Sequence, residues 1–148
     1  MDDENVKDKI KDAKKHGWIE TSMFFEVMAI NEEVSRDMLK THIEKLKGAP
    51  NSLVSDVKFS DVRRVEKPPI MNIEFAWSQI CELKFYVRDL DTLISTVYLY
   101  GPSSIEIIGP DKILLKAEEM QRIVNAISGL VHQYAQAGIG GIVIAPNK

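Results

Sequence analysis

The chain has 148 residues, of which 45% are hydrophobic and 28% charged, a composition typical of a globular protein. Its net charge of −3 shows no excess of Lys and Arg, so we do not expect nucleic acid as a partner. A single cysteine, an acidic N-terminus unlike a signal peptide, and no apolar run near the roughly 18 residues of a transmembrane helix predict a cytoplasmic, soluble protein without disulfides or membrane contact.

The first third of the chain predicts a helix, a strand and a second helix. Residues 1–17 mix acids with lysines around a narrow apolar stripe, which predicts a peripheral N-terminal helix or arm. Residues 18–30 carry apolar side chains at both odd and even positions, so we expect a strand with both faces buried, either a central strand or one covered by a partner. Asn31 is a favoured N-cap for a helix that Gly48 and Pro50 end. Its predicted core stripe is Val34, Met38, Leu39, Ile43 and Leu46.

The middle of the chain predicts a long antiparallel β-hairpin over residues 53–87. Residues 73–87 alternate apolar and polar side chains with period two, as a strand with one buried face does. A second strand-like run covers residues 53–67, where the apolar parity switches between Phe59 and Val62 and predicts a β-bulge near Ser60 and Asp61. Cys81 lies on the apolar face, so we interpret it as a core thiol and not as a nucleophile.

The last third predicts a helix, short strands and a long C-terminal helix. Asp89 can cap a helix that Gly101-Pro102 ends, residues 104–108 and 113–115 are strand-like, and residues 117–137 form an amphipathic helix before an apolar tail over residues 138–148. The resulting order contains β-α-β-β-α-β, which predicts an α+β fold with a ferredoxin-like core. We expect one domain over residues 1–148.

Few residues combine into a chemical site. The three histidines lie far apart in sequence without further metal ligands at suitable spacing, so we predict neither a metal site nor a cofactor. Asp61, Arg63 and Gln79 are the polar residues on the otherwise apolar parity of the hairpin, and they could form a small-molecule ligand site unless the bulge turns Asp61 outward. Phe75 and Trp77 are expected in the core, and so not free to stack on nucleic-acid bases.

One local segment resembles a known module. Residues 98–110 read Tyr-Leu-Tyr-Gly-Pro-Ser-Ser-Ile-Glu-Ile-Ile-Gly-Pro and precede a helix, so residues 98–125 resemble the C-terminal extension of WYL-domain regulators, which also runs helix, Gly-Pro, short strand, Pro, helix. The Trp-Tyr-Leu ligand motif of those regulators is missing, and the resemblance implies no site residues here. As a whole, the chain resembles the small uncharacterised α+β proteins common in archaea.

These patterns favour a non-catalytic domain that associates with itself, most simply as a dimer, or with a partner. The basis is a surplus of apolar side chains in residues 18–30, the hairpin and the tail, which an edge strand of the same subunit or of a neighbour could cover. The alternative is a small-ligand-binding regulatory domain. An enzyme with dispersed active-site residues is the third hypothesis.

Overall fold

The computed structural model describes residues 3–69 and 72–137, and their contacts divide the chain into two compact units. The first unit runs to Ile113 and contains the sheet with three helices, and the second begins at Leu114 and contains the last helix. The expectation of one domain over residues 1–148 stays a prediction. The apolar tail over residues 138–148 lies outside the described residues.

The described residues form a mixed α/β structure with four helices and five antiparallel strands. The helices are α1 (Asp3–Lys15), α2 (Glu32–Lys47), α3 (Leu90–Tyr100) and α4 (Ala117–Gln136). The strands are β1 (Ile19–Ala29), β2 (Ser52–Phe59), β3 (Arg63–Glu66), β4 (Phe75–Val87) and β5 (Ser104–Gly109). The predicted N-terminal helix, the helix after Asn31 and the long C-terminal helix are all confirmed, but residues 113–115 form no strand.

Four strands form the sheet in the order β2-β4-β1-β5, and β3 pairs with the start of β4 beyond the end of β2. The long central pair runs antiparallel from Ile19 opposite Val87 to Ala29 opposite Trp77. Strand β5 pairs with β1 on the side away from β4. The sheet therefore has two edges, one made by β2 and β3 together and the other made by β5.

The hydrophobic core lies on one face of the sheet, beneath α2 and α3. Odd-numbered residues of β1 and β4 face the helices, because side chains alternate along a strand. The core comprises Ile19, Met23, Phe25, Leu39, Ile43, Leu46, Cys81, Leu83, Phe85, Val87 and Leu93. In α2 the buried stripe includes Ser35, whereas Val34 and Met38 are exposed, so the helix is rotated from the predicted orientation.

The second face of the sheet, called the open face below, is partly exposed in the described part of the chain. Strand β1 is central in the sheet, as expected, but residues 3–69 and 72–137 do not bury this face completely, and its cover by a partner stays a prediction. Phe24 retains 37% of its accessible surface, because both helices of the β-α-β-β-α-β region lie on the opposite face. Helix α1 approaches one end of this open face, where Lys14 Nζ lies 3.0 Å from Glu20 Oε1. Glu20 and its cross-strand partner Tyr86 are buried there.

The hairpin over residues 53–87 is present, but its first arm is interrupted twice. Ser55 pairs with Lys84 and Lys58 with Glu82, so three residue steps oppose two, and Asp56 takes a left-handed φ of 52°. A second interruption lies between β2 and β3, at residues 60–62, where the expected irregularity near Ser60 and Asp61 is confirmed. Each extra residue bends the strand and re-aims its side chains.

Candidate functional site

The three residues predicted to bind a ligand do not share one face of the sheet. Arg63 pairs with Ser78, so its side chain lies on the open face. Gln79 follows Ser78 directly in β4 and therefore points to the opposite, core-facing side. Asp61 is exposed in the segment between β2 and β3. The ligand-binding role of these residues stays a prediction, without a common face to support it.

Gln79 stabilises the interruption of the hairpin between β2 and β3 by hydrogen bonding. Its Nε2 donates to the carbonyl of Ser60 at 2.9 Å, and the hydroxyl of Ser60 accepts from the backbone N–H of Ile80 at 3.0 Å. The backbone N–H of Ser60 in turn donates to the carbonyl of Ile80 at 2.8 Å. These bonds replace the regular ladder at the extra residue, which explains why a polar side chain occupies a buried position on the core face.

The aromatic residues at the far end of the hairpin are half-buried, so the prediction that they lie fully in the core is wrong. Trp77 pairs with Ala29, the last residue of β1, and Phe75 lies beyond that end with only β3 beside it. The guanidinium of Arg64 covers the ring of Phe75 at 4.0 Å, and its Nε lies 2.8 Å from Glu66 Oε1. One face of the Phe75 ring is therefore covered by a cation of the same chain.

Cys81 and His42 have structural surroundings. Cys81 is fully buried, as predicted, and burial raises the pKa of its thiol to about 11, which leaves little thiolate at neutral pH. His42 Nε2 lies 2.7 Å from the carbonyl oxygen of Tyr100 and donates to it, which ties α2 to the end of α3. Within residues 3–69 and 72–137, no cluster of three or more His, Cys, Asp or Glu side chains could hold a metal ion.

The two edges of the sheet differ in how they are protected. Exposed strand edges attract other strands, and proteins block them with bulges, charges or breaks. The β2–β3 edge has all three: the bulge at Asp56, the interruption at residues 60–62, and the exposed charged side chains of Lys58, Arg63 and Arg64. Pairing to this edge is therefore disfavoured.

Strand β5 is less protected. It has six residues and one β-bulge, at residues 107–109, where two steps along β5 oppose one step along β1. It pairs only with β1 in the described part of the chain, and Glu106 is its one charged residue. Ile107 is 55% exposed on the core-facing side and Ile108 is 46% exposed on the other. The sequence signal was present, since apolar residues at both parities mark a strand without a solvent face. Residues 18–30 show the same two-sided pattern, and the expectation of burial on both faces rests on them instead.

Further apolar side chains lie just before β5. The last turns of α3 expose Val97, Tyr98 and Leu99, and Leu99 keeps 68% of its surface. A short turn at Gly101-Pro102 then leads into β5, and its position is set by Ser103, whose backbone N–H donates to the carbonyl of Phe24 at 2.7 Å. The end of α3 and the edge strand together form the candidate interaction surface.

No helix among the described residues has the length and apolar character needed to cross a bilayer. A comparison with curated proteins finds no match to this chain. A protein-family model does match, and it does so over residues 20–148, from the second residue of β1 onward. Because this match spans most of the sequence, the chain belongs to the MJ0538 family.

Proposed function

We propose that this protein is a non-catalytic α+β domain that acts by associating with a second copy of itself through the edge strand β5. The observation that carries the proposal is the contrast between the two sheet edges. The β2–β3 edge is bulged at Asp56, interrupted at residues 60–62 and lined by three exposed charges, whereas β5 has one bulge and one charged residue and exposes Ile105, Ile107 and Ile108. Unpaired N–H and C=O groups along such an edge gain partners when a second strand is added.

We also propose that the core is the ferredoxin-like arrangement. Strands β1 and β2 are joined through α2 and are separated in the sheet by β4, as in a split β-α-β unit. Helix α3 then connects β4 to β5, which pairs on the other side of β1. In this arrangement β2 and β5 are the edge strands, so pairing of β5 with its copy in a second subunit would extend the sheet across a two-fold axis.

A symmetric antiparallel pairing about Ile107 suits the side chains of β5. A two-fold axis normal to the sheet places the core-facing faces of both subunits on one side and their open faces on the other. Each residue therefore opposes a residue that points to the same side. Centred on Ile107, this register places Ile107 against its own copy and Glu106 opposite Ile108, the extra residue of the β5 bulge. The two Glu106 carboxylates are then not directly opposed, which avoids the cost of a like-charge cross-strand pair.

The test compares the same kind of substitution at the two edges. The variant Ile107→Lys places two ammonium groups together at the proposed two-fold axis, and Phe59→Lys places one on the other edge, where Phe59 is 45% exposed. Sedimentation velocity at about 100 µM should show the wild type and Phe59→Lys above the 16.8 kDa of one chain and Ile107→Lys at that mass.

Far-UV circular dichroism of both variants ensures that loss of mass does not reflect unfolding. A monomeric wild type would contradict the proposal. So would a folded Ile107→Lys variant that keeps the same mass as the wild type.

A further inference from the structure

A groove lies within the first unit, between α1 and the β2 edge of the sheet, and has a volume of about 620 Å³. Its apolar walls are formed by Val6 and Ile10 of α1 on one side and by Val54, Val57 and Tyr86 on the other. The volume is within the range of small-molecule sites.

The bulge in β2 shapes this groove. Asp56 takes a left-handed φ of 52°, which is uncommon for a residue other than glycine, and both Asp56 and Val57 line the space. The extra residue turns the end of β2 relative to its regular register with β4. The same irregularity that disfavours strand pairing at this edge therefore contributes two residues to the wall of the groove.

The rim of the groove is basic. Helix α1 contributes Lys7, Lys11 and Lys14, and α2 contributes Lys47, against Asp56 as the one acidic residue of the lining. The lining residues alone carry four positive charges and one negative charge, and the carboxylates of Glu20 and Glu44, which pair with Lys14 and Lys47, reduce the local charge from +3 to +1, in a chain whose net charge is −3. A cleft lined by charges of one sign attracts ligands of the opposite sign.

Three of the five lysines of α1 line the groove, and none of the acids over residues 4–15 does. Lys7 and Lys11 are four residues apart, where like charges repel on a helix surface, while Glu4, Asp8 and Asp12 occupy positions outside the groove lining. Lys14 pairs with Glu20 at 3.0 Å and Lys47 with Glu44 at 3.1 Å. Lys7 and Lys11 have no ion-pair partner among the side chains of residues 4–69 and 72–137, so within that part of the chain their charge is available to a ligand.

We propose that this groove binds a small amphiphilic anion, a carboxylate or phosphate that carries an aliphatic body. The aliphatic body lies between Val6, Ile10 and the β2 side chains, and the anionic group lies at Lys7 and Lys11. Two properties of the site select this class together. An inorganic anion would leave the apolar walls empty, and an uncharged or cationic amphiphile would leave the lysines without a partner.

Isothermal titration calorimetry can test both properties with the full chain. Decanoate and decyl phosphate, each below its micelle concentration, should bind saturably with one site per chain, and the tighter of the two identifies the anionic group. Butyrate, inorganic phosphate and decyltrimethylammonium should bind at least tenfold more weakly. No saturable binding of either decyl anion, or equal binding of the decyl cation, would overturn the proposal.

A matched pair of variants locates the site. Lys7→Gln/Lys11→Gln and Lys9→Gln/Lys15→Gln remove the same charge from the same helix, but only the first pair lines the groove. We expect about fivefold or greater weakening in the first variant, since each exposed charge contact contributes only modestly, and less than about twofold in the second. Equal effects of the two variants would refute the location and leave only a general attraction for anions.

This inference is independent of the proposed self-association. The groove lies at the β2 edge and the proposed dimer contact at the β5 edge, and these are the two opposite edges of the same sheet. The variant Ile107→Lys should therefore bind decanoate or decyl phosphate as the wild type does. Loss of binding in that variant would contradict a site built within one subunit, whatever the oligomeric state proves to be.

Discussion

The two helix caps of the first unit offer a prediction that separates hydrogen bonding from charge. Asp89 caps α3 by accepting from the backbone N–H of Thr92 at 2.9 Å, and Asn31 caps α2 by accepting from that of Val34 at 2.8 Å. Burial alone would raise the pKa of Asp89, but hydrogen bonds from Thr92 and Arg88 outweigh it and lower the pKa from its ordinary value. Asn31 has the same capping role without a titratable group.

Replacing either cap by alanine should lower the free energy of unfolding by about 1–2 kcal/mol at pH 7, because an N–H of the first turn loses its acceptor. For a chain of this size that corresponds to a fall in Tm of roughly 2–8 °C. Since the folded pKa of Asp89 is depressed, its charge stabilises the protein above the unfolded pKa, near 3.9, and this part is lost as the pH falls through the folded pKa. The cost of Asp89→Ala should therefore shrink towards pH 3, while that of Asn31→Ala should not.

Urea unfolding followed by far-UV circular dichroism gives both costs, with each variant compared to the wild type at the same pH. The variant Asp89→Asn keeps an acceptor but removes the charge, so it should lose only the pH-dependent part. Equal costs of Asp89→Ala at pH 3 and pH 7, or no cost at either pH, would refute the assignment of a charged cap at α3.

Two further predictions concern buried polar atoms. The Cys81 thiol should react with a disulfide reagent at neutral pH orders of magnitude more slowly in the folded protein than in urea, because it is fully buried and its pKa is raised to about 11. Fast reaction of the native protein would show that the thiol is not buried in the core. The variant Ser35→Ala should raise the free energy of unfolding by about 1 kcal/mol, because the fully buried hydroxyl has no hydrogen-bond partner in the described structure and alanine favours a helix. Urea unfolding measures this change. A loss of stability would show that a bound water satisfies the hydroxyl.

Sequence patterns alone determined most of the elements, because their signals are local. The period-two run of residues 73–87 predicted β4, the caps Asn31 and Asp89 predicted where α2 and α3 begin, and the change of parity after Phe59 predicted the second interruption of the hairpin. Each of these follows from a side chain and its near neighbours in the chain. The bulge at Asp56 carried no such signal, since an aspartate with a left-handed φ looks like any polar strand residue.

Only the tertiary structure decided which apolar surfaces are covered and which side chains meet. Residues 18–30 have apolar side chains on both faces, yet α2 and α3 cover the same one, so Phe24 remains exposed. The parity of Arg63 and Gln79 matches in the sequence, but the extra residue between β2 and β3 places them on opposite faces. Likewise, the lysines of α1 and Lys47 of α2 lie far apart in the chain and share a groove only because α1 and the β2 edge come together. Pairing and layer order are properties of long-range contacts, which a local pattern does not encode.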